Sequence, residues 1–194
     1  DPPQLNIPPS GEPVELTLSA NNIPITIYRF GDGPKNIVLI GGIHAGFAPA
    51  TVTIAEEAIQ LFTDNPDQVP ANASIYIIPN LNPDSTYDPG QLPGRLNTNG
   101  VDLNRNWDCR WQADDTFRGE LIEGMGGTAP FSERETAVLS EWLLDLRPVA
   151  VVFWQARATG GLVSPGSCRS VDTQVSTPLA EAYSSATGYT LRDF

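Results

Sequence analysis

The stretch GVDLNRNW, residues 100–107, ends a long loop that is rich in Asn, Pro and Gly, residues 80–100. Loops of this length inside a compact domain are uncommon unless they serve a function. The stretch also sets a carboxylate, an amide and a guanidinium in close succession, at Asp102, Asn104 and Arg105. The loop is therefore a candidate functional region, and the elements on either side of it indicate the fold that carries it.

Three apolar runs flank this loop and predict strands that are covered on both faces of a sheet. They are NIVLIGG (36–42), ASIYIIP (73–79) and VAVVFW (149–154). Three helices are predicted as well. The first follows NIVLIGG, the second follows a capping box formed by Ser132 and Glu135, and the last begins at Thr177 and Pro178.

Two alternating segments near the start, VELTLS (14–19) and IPITIY (23–28), predict half-buried strands joined by a hairpin turn. An early hairpin followed by alternating helices and strands indicates an α/β domain. We therefore expect a mixed sheet, with parallel and antiparallel strands, and helices on both of its faces.

These features resemble the zinc metallocarboxypeptidases, the carboxypeptidase A-like family (peptidase family M14). The most recognisable segment of that family has the pattern G-V-D-x-N-R-N-[FW], which residues 100–107 match throughout. IVLIGGIHAG (37–46) resembles the family strand that delivers the first zinc-binding histidine, and RPVAVVFWQ (147–155) resembles the strand of the second. The resemblance covers residues 10–190 and implies the family's α/β fold, short at the C-terminal end.

The family's chemistry depends on zinc held by three protein ligands, with a fourth position left for water. The zinc lowers the pKa of that water and polarises the scissile carbonyl. The resemblance places His44, the only histidine, at the first ligand and Gln155 at the last. Phe47 and Ala48 stand where the family has its glutamate. We therefore expect no zinc and no other cofactor, and we expect Gln155 to be a buried amide near His44.

The family's general base is a glutamate on a strand beyond the last predicted helix, and no residue of this chain represents it. We therefore assign no catalytic residue. The resemblance retains the carboxylate-binding side, since Asn104 and Arg105 match the family's Asn–Arg pair and Arg95 resembles the arginine that faces the substrate carbonyl. A guanidinium binds a carboxylate through two parallel hydrogen bonds. The alternative is that Arg105 forms an internal ion pair with Asp102 or Asp108.

The formal net charge is −12, and Lys35 is the only lysine. Phosphate binding needs a basic face, so the composition argues against nucleic acid as a partner. No run of about 18 apolar residues occurs, and the sequence therefore predicts no membrane span. We expect an extended proline-rich arm over residues 1–12 and one carboxypeptidase-like domain over residues 13–194.

Cys109 and Cys168 are the only cysteines, and the chain begins at Asp1 with neither a methionine nor a hydrophobic leader. The segment DPPQLNIPPSGEP, residues 1–13, is typical of a mature exported protein whose leader has been removed. A disulfide between the two cysteines fits an oxidising compartment. We therefore expect an extracellular or cell-surface location.

Three functions are open at this point. The chain could be a structural or assembly protein that contacts itself or another cell-surface protein. It could bind a peptide terminus through Arg95, Asn104 and Arg105, or it could be an active zinc carboxypeptidase with an atypical ligand set. Two replaced zinc ligands and the missing base favour the two non-catalytic functions. Contacts through the proline-rich arm or an exposed sheet edge would make the protein an oligomer.

Overall fold

The computed structural model describes residues 10–156, 158–166, 168 and 173–192, with the backbone alone for residues 173–175. The chain divides into two units, Asp1–Ala156 and Arg157–Phe194. The candidate site residues all belong to the first unit. Most of the predicted N-terminal arm lies outside the described residues.

A five-stranded sheet forms the centre of the first unit, in the strand order β1–β2–β4–β3–β7. These strands are β1 (Val14–Leu18), β2 (Pro24–Phe30), β3 (Lys35–Ile40), β4 (Ala73–Ile78) and β7 (Ala150–Phe153). β3 runs parallel to β4 and β7, whereas β2 runs antiparallel to β1 and β4. The predicted mixed sheet is therefore confirmed.

Two helices cover opposite faces of this sheet. They are α1 (Ala50–Asp64) and α2 (Arg134–Leu146). Successive side chains of a strand point to opposite faces, and β4 shows the division directly. Tyr76 packs in an apolar cluster with Trp142 of α2, whereas Ile77 packs in a second cluster with Ala55 of α1. All residues of β4 are buried, as its continuous apolar run predicted.

The start of α2 differs from the predicted capping box. Glu133 is the N-cap residue, and its side chain does not cap the helix. Glu135 turns into the interior instead, where its Oε1 accepts the backbone N–H of Ala20 at 3.0 Å. The backbone N–H of Glu133 donates to the side-chain Oδ1 of Asn106 at 3.1 Å. The capping-box prediction was wrong because the helix begins one residue later than expected: Asn106, from the motif stretch, accepts from the N-cap Glu133, and the backbone N–H of Ser132 donates to the carbonyl of Ala129 at 3.2 Å.

A short antiparallel hairpin, which the sequence patterns did not predict, follows the motif stretch. It consists of β5 (Asp115–Phe117) and β6 (Glu120–Ile122). The second unit contains a parallel pair, β8 (Leu162–Val163) and β9 (Thr190–Leu191), and the helix α3 (Thr173–Thr187). α3 begins before the predicted start, so that Pro178 lies inside the helix. The prediction had placed Pro178 in the first turn, where its missing N–H needs no partner.

The predicted disulfide is present, since Cys109 and Cys168 are both disulfide-bonded and the chain contains no other cysteine. Among the described residues, no helix combines the length and the apolar character needed to cross a membrane. The described end of the predicted arm contacts β2, where the backbone N–H of Gly11 donates to the carbonyl of Arg29 at 2.8 Å.

Candidate active-site remnant and anion site

The candidate site lies beyond the carboxyl ends of β3 and β7, the position at which open α/β sheets place their sites. His44 follows β3, and Gln155 follows β7. The structure brings them together, since Nδ1 of His44 is 3.3 Å from the backbone carbonyl oxygen of Gln155. The motif stretch joins them through Asp102, whose Oδ1 is 2.8 Å from Nε2 of His44.

Asp102 is the fully buried charge at the centre of the site. Its Oδ2 accepts from Nε and Nη2 of Arg95 at 2.9 and 2.8 Å, and its Oδ1 also accepts the backbone N–H of Asn104 at 2.9 Å. Burial alone would raise the pKa of Asp102, but the hydrogen bonds and charges of His44 and Arg95 hold that pKa below its ordinary value of 3.8. Asp102 is therefore an ionised carboxylate at neutral pH that fixes His44 and Arg95 in one cluster.

The residues around His44 do not fit a family-type zinc ion. Nδ1 of His44 faces the backbone carbonyl oxygen of Gln155, and the Phe47 ring packs edge-on against the imidazole with the centroids 6.2 Å apart. Within the described parts of the chain, no group of three or more His, Cys, Asp or Glu side chains could hold a metal. A catalytic zinc needs three ligands and an open position, so the geometry offers one ligand where three are needed.

Gln155 differs from the buried amide that the sequence predicted. Its side chain is exposed, and its backbone carbonyl, rather than its amide, meets His44. The side-chain Nε2 donates instead to Oδ1 of Asn104 at 3.4 Å. The prediction failed because β7 ends at Phe153. The chain leaves the sheet before Gln155, so this side chain does not follow the strand's alternation.

The two arginines of the site have different partners. Arg95 is mostly buried, with 14% of its side chain exposed, and it binds Asp102. Arg105 keeps 37% of its side chain exposed, and its Nε donates to Oδ2 of Asp115 in β5. Neither expected partner of Arg105, Asp102 or Asp108, forms this ion pair. The sequence analysis did not identify Asp115, because a strand of three residues is too short to show a periodic pattern.

Aromatic rings connect the β5–β6 hairpin to the site. Phe117 of β5 meets Phe47 edge to face, with the ring centroids 6.3 Å apart. The guanidinium carbon of Arg95 lies over both rings, 5.3 Å from the centroid of Phe47 and 6.0 Å from that of Phe117. Arg118 lies over the Phe117 ring at 5.2 Å and donates through Nη2 to the carbonyl of Gly90 at 2.7 Å. The sequence analysis likewise did not identify Phe117 and Arg118 as residues of the site.

Two glycines allow the long loop to lie directly against the segment after His44. A Cβ on Gly46 would clash with the backbone oxygen of Thr86, and a Cβ on Gly94 would clash with the backbone nitrogen of Phe47. Backbone hydrogen bonds join the two segments. The N–H of Phe47 donates to the carbonyl of Gly94 at 2.8 Å, and the N–H of Gly90 donates to the carbonyl of Phe47 at 3.0 Å.

The mixed α/β sheet, with a histidine, a buried aspartate and an Asn–Arg pair beyond its strand ends, defines a carboxypeptidase-like protein. The family model for zinc carboxypeptidases, Peptidase M14, matches residues 8–192. The chain therefore belongs to the zinc carboxypeptidase family, as the motif stretch predicted.

Individual relatives within the family carry different names. Inactive metallocarboxypeptidase ecm14 of Talaromyces stipitatus is 31% identical over an alignment of 127 residues, and the match covers 57% of this chain and 22% of that protein. Zinc carboxypeptidase A 1 of Anopheles gambiae is 34% identical over an alignment of 132 residues, and the match covers 61% of this chain and 30% of that protein. The chain thus spans less than a third of either relative.

Solved structures share the fold. Bovine thrombin-activatable fibrinolysis inhibitor, in complex with tick carboxypeptidase inhibitor, superposes with a TM-score of 0.70. The sequence identity is 18%, and the match covers 94% of this chain and 69% of that one. A likeness at this identity shows the architecture alone, and function must be argued from the site.

Proposed function

We propose that this chain is a non-catalytic member of the zinc carboxypeptidase family that holds no zinc and binds the carboxylate end of a peptide at Asn104 and Arg105. The observation that carries the proposal is the contrast between the two halves of the site. Nδ1 of His44, the ring nitrogen that does not face Asp102, lies 3.3 Å from the backbone carbonyl oxygen of Gln155, whereas Arg105 keeps 37% of its side chain exposed. A protein oxygen lies beside the imidazole nitrogen that would face a metal, whereas the anion half presents a partly exposed guanidinium whose one ion-pair partner among the described residues, Asp115, is itself partly exposed.

The ligand positions support the absence of catalysis. A glutamine amide is a poor zinc ligand beside imidazole, and the side chains of Phe47 and Ala48 offer a metal no donor atom. The names of the relatives include an inactive metallocarboxypeptidase and a zinc carboxypeptidase, so membership of the family is compatible with either state. The ligand positions of this chain favour the inactive one.

The chemistry of Asn104 and Arg105 supports carboxylate binding. A guanidinium stays charged at every physiological pH, and its planar fork matches a carboxylate. Oδ1 of Asn104 accepts from Gln155, which leaves its Nδ2 as the group that can donate to a ligand. Asp102 fixes the backbone N–H of Asn104, so a buried charge positions the pair. The ligand class proposed is therefore a peptide with a free C-terminus.

Elemental analysis of the purified native protein tests the metal part of the proposal. We expect far less than one zinc per chain and no release of C-terminal residues from a peptide substrate. One zinc per chain together with peptide cleavage would establish the alternative, an active carboxypeptidase with an atypical ligand set, and would overturn the proposal.

A matched pair of peptides tests the binding part, one with a free C-terminal carboxylate and one with a C-terminal amide. We expect the native protein to bind the free form more tightly. Arg105→Ala should reduce that preference about tenfold or more, since hydrogen bonds to charged groups contribute about 1.5–3 kcal/mol. Arg134→Ala removes an exposed arginine of α2 and is the charge-matched control. Equal binding of the two peptides by the native protein would contradict carboxylate recognition.

We further propose that the protein works outside the cell. The disulfide supports this location, because such bridges persist in oxidising compartments. Thiol titration of native material, denatured without reductant, should find no reactive thiol. Two reactive thiols per chain in native material would count against export.

A further inference from the structure

We propose that the β5–β6 hairpin, residues 115–122, is a built-in ligand of the carboxylate site. Asp115 takes the place of the peptide carboxylate, and an incoming peptide must displace it. The inference rests on the carboxylate-binding function proposed above. It adds that the chain itself closes the site.

The ion pair between Asp115 and Arg105 is the first observation that supports the built-in ligand. Oδ2 of Asp115 accepts from Nε of Arg105, so a carboxylate of this chain already lies on the guanidinium assigned to the peptide terminus. The side chain of Asp115 is 33% exposed and that of Arg105 is 37% exposed. Water therefore screens the pair, and exposed ion pairs are weak enough for a competing carboxylate to replace them.

The aromatic contacts of Phe117 also support the built-in ligand. Asp115 and Phe117 are two residues apart on β5 and so share one face of the strand. Both side chains are half-buried, whereas Thr116 between them is exposed. A carboxylate and an aromatic ring thus enter the site side by side, the ring against Phe47 and Arg95. An incoming peptide must therefore displace both the carboxylate and the ring.

The small size of the hairpin explains how a peptide could displace it. Each of its strands has three residues, and all of these residues are exposed or half-buried. A two-stranded hairpin of this kind is at best marginally stable by itself. Two further hydrogen bonds hold the hairpin. Oδ1 of Asp114 accepts the backbone N–H of Gly124, and Nη2 of Arg118 donates to the carbonyl of Gly90. The hairpin is therefore held by a few replaceable contacts, and its closed form lowers the apparent affinity for a peptide by the fraction of open molecules.

Two variants of the hairpin test the inference with a peptide that ends in a free phenylalanine. Asp115→Asn removes the internal carboxylate and should tighten binding by about threefold to fivefold, the factor that an exposed ion pair contributes. Glu120→Gln makes the same change of charge at an exposed position of β6 and should leave the affinity unchanged. Hydrogen exchange supplies a readout that a purely structural hairpin would not give. Adding the peptide to the native protein should speed the exchange of amides in residues 115–122.

The outcomes separate this inference from the function on which it rests. If the native protein and Asp115→Asn bind the peptide equally and Arg105→Ala abolishes binding, carboxylate recognition stands and the built-in ligand is refuted. Peptide binding that leaves the hairpin amides unchanged or better protected refutes it as well. If neither the native protein nor Asp115→Asn binds the peptide, both the proposed function and the inference that rests on it are refuted.

Discussion

Asp102 shows at the residue scale how one buried charge holds the site together. It serves His44, Arg95 and the backbone of Asn104 at once. Without it, the mostly buried guanidinium of Arg95 loses its counter-charge, and breaking a buried pair costs about 3–5 kcal/mol. We expect Asp102→Ala to lower the free energy of unfolding in urea by about that amount. The exposed control Asp108→Ala should change it by less than about 0.5 kcal/mol, and similar losses in both variants would contradict this role.

Glu135 predicts a dependence of stability on pH. Burial raises the pKa of Glu135 above its ordinary value of 4.5, the neighbouring Glu133 raises it further, and Oε2 of Glu135 is buried without a hydrogen-bond partner among the described residues. A carboxyl group with a raised pKa stabilises the fold while it is protonated, below pH 4.5, and this contribution is lost as the pH rises through the folded-state pKa.

The variant Glu135→Gln tests this pH dependence of stability directly, because an amide does not titrate. We expect the stability of the variant, relative to the native protein, to increase as the pH is raised from 4.5 to neutral. Urea denaturation at a series of pH values measures the difference. A difference that stays constant over this range would show that Glu135 does not titrate in the predicted sense.

Residue identities at the site could be predicted from the sequence only where a motif fixes them. The meeting of His44 and Gln155 follows from two strands whose ends share one rim of the sheet. The partner of Arg105 could not be predicted in this way. Asp115 is one of many acidic residues, and only the path of the unpredicted hairpin brings it to the guanidinium.

α2 is anchored, at the element scale, by a side chain that lies outside the helix. Oδ1 of the fully buried Asn106 accepts from the N–H of Glu133 and from Oγ1 of Thr136, and its Nδ2 donates to the carbonyl of Gly126. Each buried polar group left unpaired costs about 1–3 kcal/mol. Asn106→Ala should therefore lower the free energy of unfolding by at least about 2 kcal/mol, measured by denaturation followed through the helical circular dichroism signal.

Asn104→Ala is the matched control for that experiment, since Asn104 belongs to the same stretch and is partly exposed. Its loss should stay below about 1 kcal/mol, as for most partly exposed positions. Comparable losses in the two variants would show that Asn106 does not anchor the start of α2.

The elements that the sequence revealed are those with a repeating burial pattern. The continuous apolar runs predicted strands β3, β4 and β7, and β4 is buried on both faces as such a run indicates. The burial predicted for β7 was wrong, because β7 is the edge strand of the sheet and its residues are half-buried or exposed. The β5–β6 and β8–β9 pairs consist of strands of two or three residues with mostly exposed side chains. Such short strands show no periodic pattern. The contacts that Asp115 and Phe117 of the hairpin make in the site could therefore not be predicted from the sequence.

Self-association stays a prediction at the scale of the whole molecule. An extended, proline-rich arm suits docking onto a neighbouring chain, and its described end already bonds to β2 within the chain, at Gly11. We expect an oligomer in sedimentation velocity at micromolar concentration, with an interface of at least about 1,000 Å². Deleting residues 1–12 should shift it toward the monomer. A monomer in both forms, with no partner recovered from native material, would contradict the assembly function.

The interlocked glycine segments bear on how this site can change over evolutionary time. The conformation of Phe47 is fixed by backbone bonds to Gly90 and Gly94, through atoms that almost every amino acid possesses. Position 47 can therefore exchange an aromatic ring for a carboxylate without a new loop conformation. The glycines cannot be exchanged so freely, since a Cβ on Gly46 or Gly94 meets backbone. A substitution at position 47 would thus give up the ring contacts with His44 and Phe117, whereas a substitution at Gly46 or Gly94 would force the backbone itself to move.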